Sequence, residues 1–243
     1  MSLTAIHMYR ADLAYIQHAG FSSFARAAAS GLLRLLRSAG VADGHVIDLG
    51  CGDGTWLRAL IDHGYTVTGV DQSRDLLRYA RVAAPGATLK KRSVHRVALP
   101  HCDAITALGE VFSYQPVSLA ALGRLFRRAH NALRPGGVLV FDALVTGRPM
   151  SYFTWRAGPS WAVLVRVEER RNRLIRQIIT FRLARGRYRR REEQHVLLVT
   201  SRASIVSALR RAGFSVQTTR GYGRSALGER RLAFIARKRK RPR

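Results

Sequence analysis

Three glycines, Gly50, Gly52 and Gly54, alternate with Cys51 and Asp53 in the stretch VIDLGCGDGTW at 46–56. An apolar run ends just before them and includes Asp48; a helix-forming run starts at Thr55. Strand, glycine turn and helix in that order make a nucleotide or nucleoside site at the carboxyl end of a strand. The spacing is Gly-x-Gly-x-Gly, whereas dinucleotide fingerprints read Gly-x-Gly-x-x-Gly and phosphate loops end in Lys followed by Ser or Thr. No phosphate cradle is indicated. A second apolar run closes on Asp71 in VTGVDQS, and a carboxylate placed there can accept hydrogen bonds from both hydroxyls of a ribose. Taken singly, the glycines could form a structural turn and Asp71 a helix cap. Together they point to a nucleoside.

The elements that must position these residues follow a rhythm. Residues 11–38 read as helical, with Phe24, Ala28, Leu32, Leu35 and Leu36 on one face and Gly40 where a helix commonly ends. Short apolar runs at 45–49, 65–70, 87–90, 104–108 and 138–142 alternate with helical patterns such as 55–64, 73–83 and 118–133. The expected fold class is α/β: a doubly wound, mostly parallel sheet with crossover helices on both faces. The rhythm then breaks. Val163, Val165 and Val167, and later Ile175, Ile179 and Phe181, fall at strand spacing, and the breakers RRN and ARGR divide 161–199 into three antiparallel strands. A helix at 201–213 and strands at 214–219 and 231–238 complete the reading. The expected organisation is a helical cap at 1–40, a cofactor-binding core at 41–150, an antiparallel three-stranded insert at 151–200 covering the site, and the last helix and strands with a basic tail at 201–243.

At 243 residues, 47% of them apolar, the chain suffices for one large domain. No run of 18 apolar residues and no basic segment leading into an apolar one is present, so a soluble cytoplasmic protein without membrane association is expected. Cys51 and Cys102 are too few for a disulfide framework or a cysteine-built zinc site; reduced thiols and no metal are expected. Against 42 Lys and Arg stand 15 Asp and Glu, a net charge of +27. That balance raises nucleic acid as a partner. The excess is nearly all Arg, spread from Arg10 to Arg243 without a long basic block, and an Arg- and Ala-rich composition accounts for it without a polyanion. The last residues, ARKRKRPR, read as a solvated tail.

These motifs in combination resemble the class I S-adenosylmethionine-dependent methyltransferases. VIDLGCGDGTW is similar to the family's first motif, VTGVDQS to its second, CDAITALGEVFSY to its fourth-strand motif and LRPGGVLVFD to its fifth. The resemblance implies a seven-stranded sheet whose last strand runs antiparallel, and S-adenosylmethionine as cofactor. Its methionine part would lie over Gly50, Gly52 and Gly54, its ribose on Asp71, and its ammonium near Asp48, which is similar to the family's buried acid. Cys51, Gln72 and Leu108 join the cofactor site by their places in these motifs. After the third strand the family often sets an acid beside the adenine amine; here the segment reads KKRSVHRV, which leaves Ser93 and Val94 by position.

LAYIQHAGFSSFA near the N-terminus, ALGEVFSY, and the Arg-rich strand running into EEQHVLLV resemble the members of that family that act on small molecules, sugar N-methyltransferases among them. Methyl transfer needs the acceptor atom in line with the methyl group, about 3 Å away, and a base where the acceptor carries a proton. Glu110, just past the fourth strand, and His195 with Glu193 are the candidate bases. Each has a plainer reading: Glu110 as a helix cap or partner of an Arg, Glu193 and His195 as a surface pair. Tyr9, Tyr15 and His18 at the N-terminus and Tyr114 after the fourth strand are candidates to line the acceptor site. Arg189 and Arg191, alternating on one strand face, are candidates to receive an anionic acceptor. The expected function is transfer of a methyl group to an oxygen, nitrogen or carbon of a small molecule, by a monomer or homodimer. An RNA or DNA methyltransferase is the alternative, although enzymes that methylate base nitrogens use Asn or Asp, Pro-Pro and an aromatic where this chain has GEVFSY. A cofactor-binding protein without transfer activity is a third reading; it requires a damaged site, and the loop and Asp71 are intact.

Overall fold

The computed structural model describes residues 8–114 and 118–240. In chain order the elements are α1 (Ala11–Phe21), α2 (Ser23–Ser38), β1 (Gly44–Leu49), α3 (Thr55–Ile61), β2 (Tyr65–Asp71), α4 (Arg74–Ala83), β3 (Thr88–Lys91), β4 (Cys102–Ala107), α5 (Leu119–Ala132) and β5 (Leu133–Leu144). There follow β6 (Ser151–Gly158), β7 (Trp161–Arg170), β8 (Arg173–Ala184), β9 (Arg187–Leu198), α6 (Arg202–Arg211), β10 (Phe214–Thr219), β11 (Gly221–Tyr222), β12 (Ser225–Ala226) and β13 (Arg231–Lys238).

The central sheet has seven strands in the order β10-β13-β5-β4-β1-β2-β3. β13 runs antiparallel to its neighbours β5 and β10, while β5, β4, β1, β2 and β3 are mutually parallel. The strand order reverses between β1 and β4, and ligands bind beyond the carboxyl ends of strands at such a point. Alternation along β1 divides the core. Val46 packs with α2, α3 and α4 on one face, and Ile47 and Leu49 with α5 and α6 on the other. Among the described residues no helix is long and apolar enough to cross a membrane.

The helix expected over 11–38 is two helices. The Ser22 hydroxyl lies 2.6 Å from the His18 carbonyl oxygen and 2.5 Å from Asp53 Oδ2, its one proton shared between the two acceptors, and the chain turns there. The insert has four strands, not three, in the order β6-β7-β8-β9, all antiparallel. β6 escapes sequence reading because it is an edge strand exposed along nearly its whole length, with no buried face to impose alternation. α1 joins this sheet to the rest: Leu13 and Ile16 pack on Trp161, Val163 and Ile178. The basic tail is ordered as far as Lys238 at least, whose ammonium donates to the carbonyl oxygens of His130 and Leu133 at 2.8 and 2.7 Å. Residues 1–7 and 241–243, which belong to the expected cap and tail, lie outside the described residues.

Candidate active site

The glycine loop leaves β1 and is tied at once to β2, where the amides of Gly50 and Cys51 donate to the Val70 carbonyl at 2.7 and 3.1 Å. A Cβ on Gly50 would meet Val111 at 2.5 Å and one on Gly54 would meet the Ala80 backbone at 2.7 Å. Only Gly52, at φ +56°, has nothing within 4 Å. Gly50 and Gly54 are small to admit the protein's own neighbours, and Gly50 and Gly52 border open space.

That space is a cavity of about 210 Å³. Asp48, Gly50, Cys51, Gly52, Asp71, Gln72, Ser93, Val94 and Leu108 line it as expected, with Tyr9 and Tyr114. Asp71 is buried; its Oδ2 accepts from the Gly52 amide at 3.0 Å and its Oδ1 from the Ser73 amide at 2.8 Å. Burial pushes its carboxyl up and these amides oppose the rise. The carboxylate is thus fixed in orientation while retaining lone pairs for a diol. Asp48 accepts from Thr106 Oγ1 at 2.6 Å, and Thr106 in turn accepts from Trp56 Nε1 at 3.1 Å. Burial pushes Asp48 up to about 7, with the Thr106 hydroxyl opposing and the Asp71 charge adding to the rise.

Tyr9 meets Tyr114 across the cavity, hydroxyl to hydroxyl at 2.9 Å. The segment carrying Tyr9 is pinned from two sides. Its amide and that of Arg10 donate to Glu193 at 2.7 and 2.9 Å, and the Ser73 hydroxyl donates to the Tyr9 carbonyl at 2.7 Å. Burial raises both phenols, which stay protonated. Behind them stands His195, buried, with Nε2 3.0 Å from Glu193 and Nδ1 without a partner among the described residues. Its ring centroid lies 5.0 Å from that of Tyr9 and 5.7 Å from that of Tyr114.

Several expected site residues stand elsewhere. Glu110 is buried and does not line the cavity; its carboxylate meets Arg176 at 2.8 Å and Arg231 at 3.4 Å. Its plainer reading, a partner of arginines, describes the geometry. His195 is likewise one layer behind the cavity wall. Tyr15 faces the insert, its hydroxyl 3.0 Å from Ser160 Oγ and its ring under Arg182. His18 meets Asp53 at 2.9 Å and stacks on Tyr79, outside the cavity. Arg189 pairs with Asp12 at 2.8 Å, and Arg191 is exposed; neither lines the cavity. The arginine that reaches this end is Arg176, which the sequence reading missed. Burial opposes its charge, but Glu110 and the tyrosines outweigh that and hold it protonated. It lies opposite His195 in the β8–β9 register, on the face shared by Ile178, and that pairing was the signal that could have found it.

A family model described as a methyltransferase domain matches residues 21–219. Among curated relatives, a trans-aconitate 2-methyltransferase of Rhodopseudomonas palustris is 35% identical over 96 residues, 39% of this chain and 36% of the relative. A malonyl-[acyl-carrier protein] O-methyltransferase of Salmonella typhimurium is 33% identical over 158 residues, 61% of this chain and 56% of the relative. The chain thus spans between a third and somewhat over half of the length of these relatives. In fold it is similar to a sugar N-methyltransferase from a Streptoalloteichus species, with a TM-score of 0.82, 19% identity and 99% of each chain covered. It is also similar to an amino pentose methyltransferase of Micromonospora echinaspora solved with S-adenosylmethionine bound, with a TM-score of 0.75, 20% identity, and 93% and 95% of the two chains covered.

Proposed function

The chain belongs to the methyltransferase-domain family of S-adenosylmethionine-dependent enzymes, and from that premise we propose that it methylates a hydroxyl or amine group of a small molecule. The residues fit the cofactor: Gly52 leaves room beside the loop, and Asp71 offers an oriented carboxylate. When bound, S-adenosylmethionine supplies a methyl group on a positively charged sulfur, so no covalent nucleophile is required of the protein.

The observation that carries the acceptor reading is the tyrosine pair at the far end of the same cavity. One shared hydrogen bond leaves a hydroxyl proton and lone pairs on Tyr9 and Tyr114 to orient an O–H or N–H group. The cations near that end are already matched, Arg176 by Glu110 and Arg231 by Asp142, which disfavours a carboxylate or phosphate there. His195, whose Nε2 stands 3.0 Å from Glu193, backs Tyr9 and Tyr114 from behind the cavity wall and is in this reading a positioning residue for them. Residues 41–150 act as the cofactor core and 151–200 as the cover of the acceptor end. The buried thiols Cys51 and Cys102 suit a cytoplasmic enzyme.

The test is methyl transfer from labelled S-adenosylmethionine into RNA, DNA and a small-molecule extract of the host. Label in a hydroxyl- or amine-bearing metabolite is expected, with Tyr114→Phe slowing turnover at unchanged cofactor affinity. Label in one RNA or DNA site overturns the small-molecule reading. Label in a methyl ester overturns the acceptor chemistry alone.

Asp48 makes cofactor affinity depend on pH. The cofactor's ammonium favours ionised Asp48, and with the empty site titrating near 7, affinity should rise about tenfold between about pH 6 and 8, with release of a proton on binding. Calorimetry in buffers of different ionisation enthalpy measures both. Stability of the empty protein runs the other way. A folded value above the unfolded one means that Asp48 binds more protons in the native state, so its contribution falls as pH rises from about 4 through 7.

A further inference from the structure

The insert sheet ends in two unlike edges. At one, β9 carries Arg187, Arg189, Arg190 and Arg191 and is covered by the segment whose Tyr9 and Arg10 amides bond Glu193. Charge and cover are the usual means of stopping a strand edge from pairing further. At the other, β6 pairs with β7 alone among the described residues. Its Tyr152, Phe153 and Trp155 are 48%, 59% and 65% exposed. Its one charged residue is Arg156, whose guanidinium lies 4.9 Å from the centre of the Phe21 ring. On a chain of net charge +27 this edge strand carries a single charge, with Arg166 of β7 beside Phe153.

We propose that β6 is the interface of a symmetric homodimer in which the β6 strands of two copies pair antiparallel and join their insert sheets. The register follows from the ladder already present. Gly158 faces Trp161 across a two-residue turn, and the Met150 carbonyl accepts from the Glu169 amide, so the even-numbered residues of β6 bond to β7. Ser151, Phe153, Trp155 and Ala157 therefore aim their N–H and C=O groups outward. A two-fold axis through Thr154, perpendicular to the sheet, satisfies all of them at once: Phe153 of each copy faces Trp155 of the other, and Ser151 faces Ala157. The paired rings continue the row of Leu164 and Ile179, which lie beside Trp155 on the same face. A stable interface takes about 800 Å² per partner; the three β6 rings bring roughly 300 Å² of it, and the paired strand backbones with the remaining β6 side chains add to it. A polyanion would be drawn to β9 and its arginines. A second copy suits β6, which carries one charge where β9 carries several arginines, so like-charged chains meet there with less repulsion than at the other edge.

Sedimentation of the full chain at micromolar concentration should give twice the 27.1 kDa chain mass. Phe153→Pro removes an outward donor without touching the β7 ladder, and Trp155→Lys guards the edge; each should sediment as a monomer that keeps its circular dichroism and its affinity for S-adenosylmethionine. Thr154→Cys supplies a readout that does not depend on disrupting the interface. In this register the two Thr154 positions form a non-hydrogen-bonded pair with Cα atoms about 4.5 Å apart, within disulfide reach, and the native cysteines are both buried. Oxidation should give a covalent dimer. A monomeric wild-type chain, a dimer that survives both edge variants, or a dimer that does not cross-link through Thr154→Cys would each overturn the proposal.

Discussion

Asp142→Ala is expected to cost about 3–5 kcal/mol of stability, a fall in melting temperature of about 6–20 °C for a chain of this size. Asp142 is wholly buried near the end of β5 and accepts from four directions: the Gly109 amide at 2.9 Å, the Glu110 amide at 2.8 Å, the Tyr222 hydroxyl at 3.0 Å and Arg231 at 2.6 Å. The two amides matter locally because Glu110 sits at φ +63°, a left-handed conformation that a non-glycine residue adopts only when its surroundings impose it. Alanine would leave Arg231 with Glu110 alone as its counter-charge, at 3.4 Å, and would orphan the Gly109 and Glu110 amides and the Tyr222 hydroxyl, so the cost is shared between charge and unpaired donors. Only the charge part of the loss should return in Asp142→Ala combined with Arg231→Met; the part due to the unpaired amides and the Tyr222 hydroxyl should remain. Calorimetric melting of the single and double variants decides. A single-variant loss below about 1 kcal/mol would mean that water already reaches the pair. Because the Gly109–Glu110 corner leads into Val111 and Tyr114, Asp142 is also a positioning residue for the acceptor end of the cavity.

Asp142 closes LRPGGVLVFD in the sequence as plainly as Asp71 closes its own strand, yet it escaped the sequence reading. A strand-end acid is visible as such; which arginine answers it is not, since Arg231 arrives from β13, far along the chain. The same division runs through the site. β1, β2, β4 and β5, with the glycine loop, are legible because each is a short apolar run bounded by turn signals, and the cofactor-side residues follow from their place at the ends of those strands. The insert is harder. Period two fixes which residues share a face, and Arg176, Arg189 and Arg191 do share one through the β8–β9 register. Period two does not say how far along the strand that face overhangs the core. Arg176 falls against Glu110 and the tyrosines, Arg189 falls on Asp12, and Arg191 is left in solvent. Tyr9 and Tyr15 separate for a related reason. Tyr15 lies within α1, which packs on the insert, whereas Tyr9 precedes the helix at φ +55° and turns into the cavity.

Asp71→Ala is expected to weaken S-adenosylmethionine binding by about 1.5–3 kcal/mol, or about ten- to a hundredfold, the worth of charge-assisted hydrogen bonds from a ribose diol. Part of any loss could instead come from the loop, because the same carboxylate accepts from the Gly52 and Ser73 amides. Asp71→Asn separates the two in part: its one carbonyl oxygen can accept from either the Gly52 or the Ser73 amide but not both, so the loop should be half restored while the charge-assisted part of the affinity is not. A third readout is electrostatic. The Asp71 charge helps to hold Asp48 near 7, so its removal should move the midpoint of the pH dependence of binding downward. Calorimetric titration of the wild type and both variants across about pH 5 to 8 measures all three. Unchanged affinity in Asp71→Ala would make Asp71 a loop brace and no more. A midpoint that stays in place while affinity falls would show that Asp48 owes its high value to burial alone, leaving the two acids independent within one cavity.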